Sequence, residues 1–110
     1  MAVLEWMNVP LLAMGDDGCV TYANWAFADM IGWTPDMVLS SKFRQLFAVL
    51  PQADSAVAVL QAHAETVVEL THLDGSLVQA AMSEPLVLAD GELAVVTFDD
   101  MTELLWLREA

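Results

Sequence analysis

The stretch Asp16 to Met37 limits the fold more than any other part of this chain, because it carries four structural instructions in succession. Asp17-Gly18 is a tight-turn signal, since glycine supplies the positive φ that a hairpin turn needs. Cys19, Val20, Thr21 and Tyr22, rich in β-branched and aromatic types, read as the strand that leaves the turn. Asn24 stands before a short apolar run, where its side chain can cap the free N–H groups of a helix. Gly32 is placed to end that helix, and Thr34-Pro35-Asp36 opens another with proline at its first position.

The rest of the chain continues the alternation of strand and helix. Leu11 to Met14 is a brief strand before the turn, and Pro35 to Phe47 reads as short helices broken near Ser40-Ser41. Asp54 is the expected cap of a helix reaching Ala62 or His63, whose Ala56, Val59, Leu60 and His63 recur at helical spacing. Glu65 to Leu73 alternates, with Val68 and Leu70 on one face and Glu69 and Thr71 on the other. Asp74-Gly75 turns the chain into a strand from Ser76 to Val87, where Val78, Ala80 and Met82 share a face. Ala89-Asp90-Gly91 turns it again into Glu92 to Phe98. Successive hairpin-linked strands predict an antiparallel sheet with helices on one face, an α+β fold.

The run from the Asp17-Gly18 turn through Tyr22-Ala23-Asn24 to Ile31-Gly32-Trp33-Thr34-Pro35 resembles the N-terminal half of a PAS domain. Asp74-Gly75-Ser76 resembles that family's central hairpin, and Asp100-Met101-Thr102-Glu103 its terminal Asp-Ile-Thr-Glu signature. The match covers Pro10 to Glu103. It implies a five-stranded antiparallel sheet in spatial order 2-1-5-4-3. It also implies a single domain: a flanking helix over residues 1–9, a core over 10–101 and an outgoing signalling helix from 102 to 110. The function implied is that of a sensory or protein-interaction module in a bacterial or archaeal signalling protein such as a two-component system. A ligand or partner state would bias the helices against the sheet, and the change would pass through Asp100, Thr102 and Glu103 to a C-terminal effector. The alternatives are a ligand-free dimerisation or docking module and, after it, a haem- or flavin-binding redox sensor.

Each cofactor of the family makes its own demand on the sequence. Flavin photochemistry needs a thiol in the stretch matching Ser41-Lys42-Phe43-Arg44-Gln45, which has none, and Cys19 is expected on an early strand apart from it. Haem needs an axial ligand, and the family's place for it falls at Pro51 and Gln52; His63 stands at the far end of that helix. There it reads as a packing residue before a ligand, and His72 beside the hairpin reads as exposed. Trp25 and Trp33 have faces that can stack on a flavin, but core and rim packing is the stronger reading for both. The cofactor therefore stays open, with none as one outcome, and the residues placed to line a small-molecule pocket are Trp33, Phe43, Phe47, Leu60, His63 and Met82. Lys42 and Arg44 are candidate anchors for an anion, although at i and i+2 on a helix they would not face each other. Ala80, Ala81 and Ala94 leave room above the sheet, to be filled by a ligand or by Met30, Phe43, Phe47 and Met82.

No spacing of nucleophile, base and orienting residue is present, and Asp99 and Asp100 point to opposite faces of a strand, so an enzyme is not expected. The formal net charge of −13 repels phosphate backbones and anionic headgroups, which disfavours nucleic-acid and membrane-surface binding. It serves either the solubility of a chain that is 57% hydrophobic or life in a high-salt cytoplasm. A single cysteine excludes an internal disulfide and a multi-cysteine metal site, and a cytoplasmic domain is the expectation. The flanks, with Val3, Leu4, Trp6 and Met7 at one end and Leu104, Leu105, Trp106 and Leu107 at the other, are apolar enough to predict a homodimer through them.

Overall fold

A computed structural model describes residues 9–48 and 55–101. Strand β1 (Leu11–Gly15) and strand β2 (Val20–Ala23) form the first hairpin. Four short helices follow, α1 (Trp25–Ile31), α2 (Pro35–Leu39), α3 (Phe43–Leu46) and α4 (Ala56–Ala62). The chain closes with β3 (Val67–Thr71), β4 (Leu77–Met82), β5 (Leu86–Leu88) and β6 (Leu93–Asp100).

The sheet runs β2-β1-β6-β4-β3, with β5 also paired to β6, and every pairing is antiparallel. Counting β4 and β5 as one broken strand gives the expected order 2-1-5-4-3. The break is a difference from the sequence reading, and Pro85 accounts for it. Proline offers no N–H to a ladder, so pairing with β6 lapses over Ser83 to Pro85. It resumes one residue out of step, Met82 facing Phe98 and Leu86 facing Val95. Ser83 spans the bulge, its N–H donating to the Thr97 carbonyl and its hydroxyl accepting from the Thr97 N–H, both at 2.9 Å.

Period-two alternation settles which face is core. Val68 and Leu70, Val78, Ala80 and Met82, and Ala94, Val96 and Phe98 point to the helices and are all buried. From above, α1 contributes Phe27, Ala28 and Ile31, α2 Val38, α3 Phe43 and Leu46, and α4 Ala56, Val57, Val59 and Leu60, in one cluster. The opposite sheet face keeps Val67, Leu77, Leu86 and Leu88 exposed.

The caps follow the sequence reading with one shift. The Asn24 carboxamide oxygen accepts from the Phe27 N–H, Gly32 closes α1 in the left-handed region at φ 72°, and Thr34 caps α2 ahead of Pro35. Helix α4, however, is capped by Ser55, whose hydroxyl accepts from Ala58 N–H. Asp54, the expected cap, lies outside the described residues, as do Pro51, Gln52 and both flanking segments (1–8 and 102–110).

Candidate functional site

The expected pocket residues come together, but on one another. Phe43, Phe47, Leu60 and Met82 are all buried in the core cluster. Phe43 and Phe47 stack at 4.8 Å between ring centroids, Phe47 meets Phe98 at 6.3 Å, and Phe98 meets Phe27 at 5.3 Å. Ala80 and Ala94 of the sheet are buried in the same cluster as these rings. Trp33 is half-buried against the cluster, its indole N–H shielded from water and without an acceptor among the described residues. Trp25 stands 63% exposed at the start of α1, a rim position. His63 ends α4 with its Nδ1 3.0 Å from the Val59 carbonyl, so the ring serves as a helix C-cap.

A second concavity lies outside that core and opens to the surface. Its volume is about 220 Å³, and it is lined by Asp16, Asp17, Gly18, Lys42, Phe43, Arg44, Ala56 and Val59. The β1–β2 turn builds it. The Gly18 N–H closes the turn on the Gly15 carbonyl at 2.9 Å, and the Asp17 carboxylate accepts from Cys19 N–H at 3.0 Å. The Gly18 carbonyl then accepts the Phe43 N–H at 2.7 Å, which pins the start of α3. Asp16 pins the start of α4, its carbonyl taking the Ala56 N–H at 3.0 Å and its carboxylate accepting from the Ser55 hydroxyl and the Val57 N–H. The cleft is the gap left between two helix starts hung on one turn.

Lys42 and Arg44 both reach this gap. They are not two positions of one helix, because Lys42 precedes α3 in extended backbone (φ −123°, ψ 166°). That conformation is held by the Lys42 N–H donating to Gln45 Oε1 at 2.8 Å, and both residues line the cleft. They are the only lysine and arginine among the described residues, both exposed, and neither forms an ion pair with a carboxylate there. The Cys19 N–H above all holds the Asp17 carboxyl below the ordinary carboxylate value, with Lys42 adding a smaller pull. Cys19 itself forms a backbone bridge with Lys42, so it lies beside the Ser41 to Gln45 stretch and not apart from it, as expected from sequence.

At the far end of β6, Asp100 pairs with Ala80, and the Met101 N–H donates to the Gln79 carbonyl at 2.7 Å. The sheet thus grips the chain up to the last described residue. Thr102 and Glu103, the other expected junction residues, lie outside the described residues.

Neither a protein-family model nor a curated protein matches the sequence. Solved structures do. A PAS domain from Desulfitobacterium hafniense superposes with a TM-score of 0.73 at 16% identity, covering 91% of this chain and 99% of that one. A domain of a sensory box sensor histidine kinase/response regulator from Geobacter sulfurreducens gives 0.70 at 19% identity, with 89% of each chain covered. The PAS domain of nitrogen regulation protein NR(II) from Vibrio parahaemolyticus gives 0.65 at 17%, covering 90% of this chain and 94% of that one. The chain folds as a PAS domain.

In this PAS fold the sequence singles out the aromatic and basic residues but not what joins them. Asp16 and Asp17 read only as turn formers, because nothing local shows that the turn carries two helix starts, Phe43 bonded to Gly18 and Ala56 bonded to Asp16. Among the described residues no three His, Cys, Asp or Glu side chains are grouped to hold a metal ion. No described helix is long and apolar enough to cross a membrane.

Proposed function

We propose that this PAS domain is a cytoplasmic sensory and interaction module of a signal-transduction protein, acting without chemistry of its own. A small ligand or a partner state shifts the helices on the sheet, and the shift leaves through Asp100, Thr102 and Glu103 to an effector that follows. The observation that carries this reading is Phe98. It is buried in β6, touches Phe27 of α1 and Phe47 beyond α3, and lies two residues before Asp100. A packed interior switches between discrete arrangements and does not deform smoothly, so moving either ring moves the end of β6.

The module works as a homodimer through its flanking segments. Val67, Leu77, Leu86 and Leu88, on the sheet face away from the helices, are 43–60% exposed, an apolar face open to those segments. Sedimentation at micromolar concentration should show a dimer, and a clean monomer would remove this part. A second reading, a ligand-free docking module, has one observation in its favour: Phe43, Phe47, Phe98 and Phe27 pack on one another in the buried core above the sheet. In that case Phe43, Phe47, Leu60, His63, Met82 and Trp33 serve as core alone.

The test is a chimera in which this chain replaces the PAS domain of a sensor histidine kinase. Autophosphorylation should respond to Asp100→Ala by several-fold with the fold intact by circular dichroism. Identical output from wild type and variant would count against the junction.

A further inference from the structure

The geometry points to a binding site for a small zwitterion of the α-amino acid type in the cleft between the β1–β2 turn and the starts of α3 and α4. The ligand carboxylate meets Lys42 and Arg44, and its ammonium group meets Asp16 and Asp17. This deepens the proposed sensory function, on which it rests, by naming the class of ligand.

Three observations carry it. First, a chain of net charge −13 brings both of its described Lys and Arg side chains to one gap, and neither is paired with a carboxylate among the described residues. Second, the same gap is lined by two carboxylates whose positions are fixed by the fold. Asp16 is bonded to Ser55 and Val57, Asp17 to Cys19, and each retains a second oxygen. A simple anion would meet Lys42 and Arg44 only by also facing Asp16 and Asp17, and a simple cation would face the reverse. Two carboxylates and two cations cancel, so the complementary guest carries both signs. Third, the cleft has a volume of about 220 Å³ and is open to solvent, room for a small guest. Phe43, Ala56 and Val59 give the floor an apolar stretch for a short aliphatic side chain.

The site is also coupled to the fold. Its walls are the residues that pin α3 and α4 to the sheet, so a guest that draws Arg44 toward the turn acts on α3. The last ring after that helix is Phe47, which touches Phe98.

The test is titration of the ¹⁵N-labelled full chain at low salt with L-valine, and in parallel with isovalerate and isobutylamine, which lack its ammonium and carboxylate groups respectively. L-valine should shift the Gly18, Phe43 and Ala56 amides saturably, and both analogues should bind at least about tenfold more weakly, the loss of one charge-assisted contact. Arg44→Gln and Asp17→Asn should each weaken valine by a similar factor; the asparagine keeps the acceptor for Cys19 N–H, so the turn survives. Three results would overturn the assignment: no saturable shift up to about 50 mM, far above the millimolar range; isovalerate as tight as valine, which marks a bare anion site; or shifts confined to other residues. If a variant fails to fold, the analogue comparison on the wild-type chain still decides. The titration reads occupancy alone, so its failure leaves the signalling reading standing, and failure of the kinase chimera leaves the cleft assignment standing.

Discussion

Replacing Asn24 by alanine should cost far more than an ordinary helix cap. The side chain is 1% exposed and makes at least three bonds to described residues. Its Oδ1 accepts from the Phe27 N–H and from the Leu11 N–H, each at 3.0 Å, and its Nδ2 donates to the Val9 carbonyl at 2.8 Å. Loss of the cap alone costs about 1 kcal/mol. Alanine also leaves the Leu11 N–H buried without a partner, a further cost of about 1–3 kcal/mol. The sum is about 3 kcal/mol, which for a domain of this size lowers Tm by about 12 °C. Asn24→Ser provides the control: its hydroxyl can cap α1 but is too short to reach Val9 as well, so it should recover about 1 kcal/mol. Urea unfolding followed by tryptophan fluorescence, with unchanged m-value, measures both. Equal losses for serine and alanine, or a loss for alanine below about 1 kcal/mol, would refute the claim that Asn24 ties β1 to α1.

Other perturbations test separate parts of the structure. Gly32→Ala places a Cβ 2.6 Å from the His72 ring at a backbone φ of 72°, and should cost about 2 kcal/mol in denaturant unfolding; in a His72→Ala background the cost should fall to about 1. Ala89 holds φ 54° beside Asp90 at 55° and Gly91 at 92°, a run of left-handed backbone. Ala89→Gly should therefore stabilise by about 0.5 kcal/mol, the released strain outweighing glycine's extra unfolded-state entropy. Asp74 is held below the ordinary carboxylate value by the Ser76 hydroxyl and N–H, and more weakly by His72, while Asp17 is held down chiefly by the Cys19 N–H. A folded carboxyl that binds protons less readily than the unfolded one stabilises fully above its unfolded value, 3.8. That contribution is lost as the pH falls from there through the lower folded pKa. Asp17→Asn and Asp74→Asn should each flatten the acid limb of a stability–pH curve and leave its shape near pH 7 unchanged.

Sequence patterns revealed the fold because its instructions are local. Gly18, Asn24, Gly32, Thr34 and Pro35 act within a few residues of themselves, and strand alternation in β3 and β4 needs no knowledge of the partner strand. Pro85 was legible in principle, as a residue that cannot donate to a ladder, but the apolar run around it masked the bulge. The cleft was not legible. Lys42 and Arg44 stand out as rare cations, yet as two positions of one helix they would not face each other, and the extended backbone at Lys42 is not written in its local sequence. The second role of Asn24 was hidden for the same reason: its cap is written locally, whereas its bonds to Val9 and Leu11 cross 15 and 13 residues. Phe43, Phe47, Leu60 and Met82 are large apolar side chains, a pattern that a pocket lining and a filled core satisfy equally.

The most direct test of the account is amide hydrogen exchange at Met101, whose N–H closes the grip of β4 on the end of β6. Phe47→Leu removes one ring from the contact with Phe98 without touching β6 itself. Protection at Met101 should fall by about fivefold, equivalent to about 1 kcal/mol, beyond any change at Ala94, which sits at the other end of the same strand. Protection at Met101 that holds, or falls only in step with Ala94, would mean that the helical layer does not reach the junction.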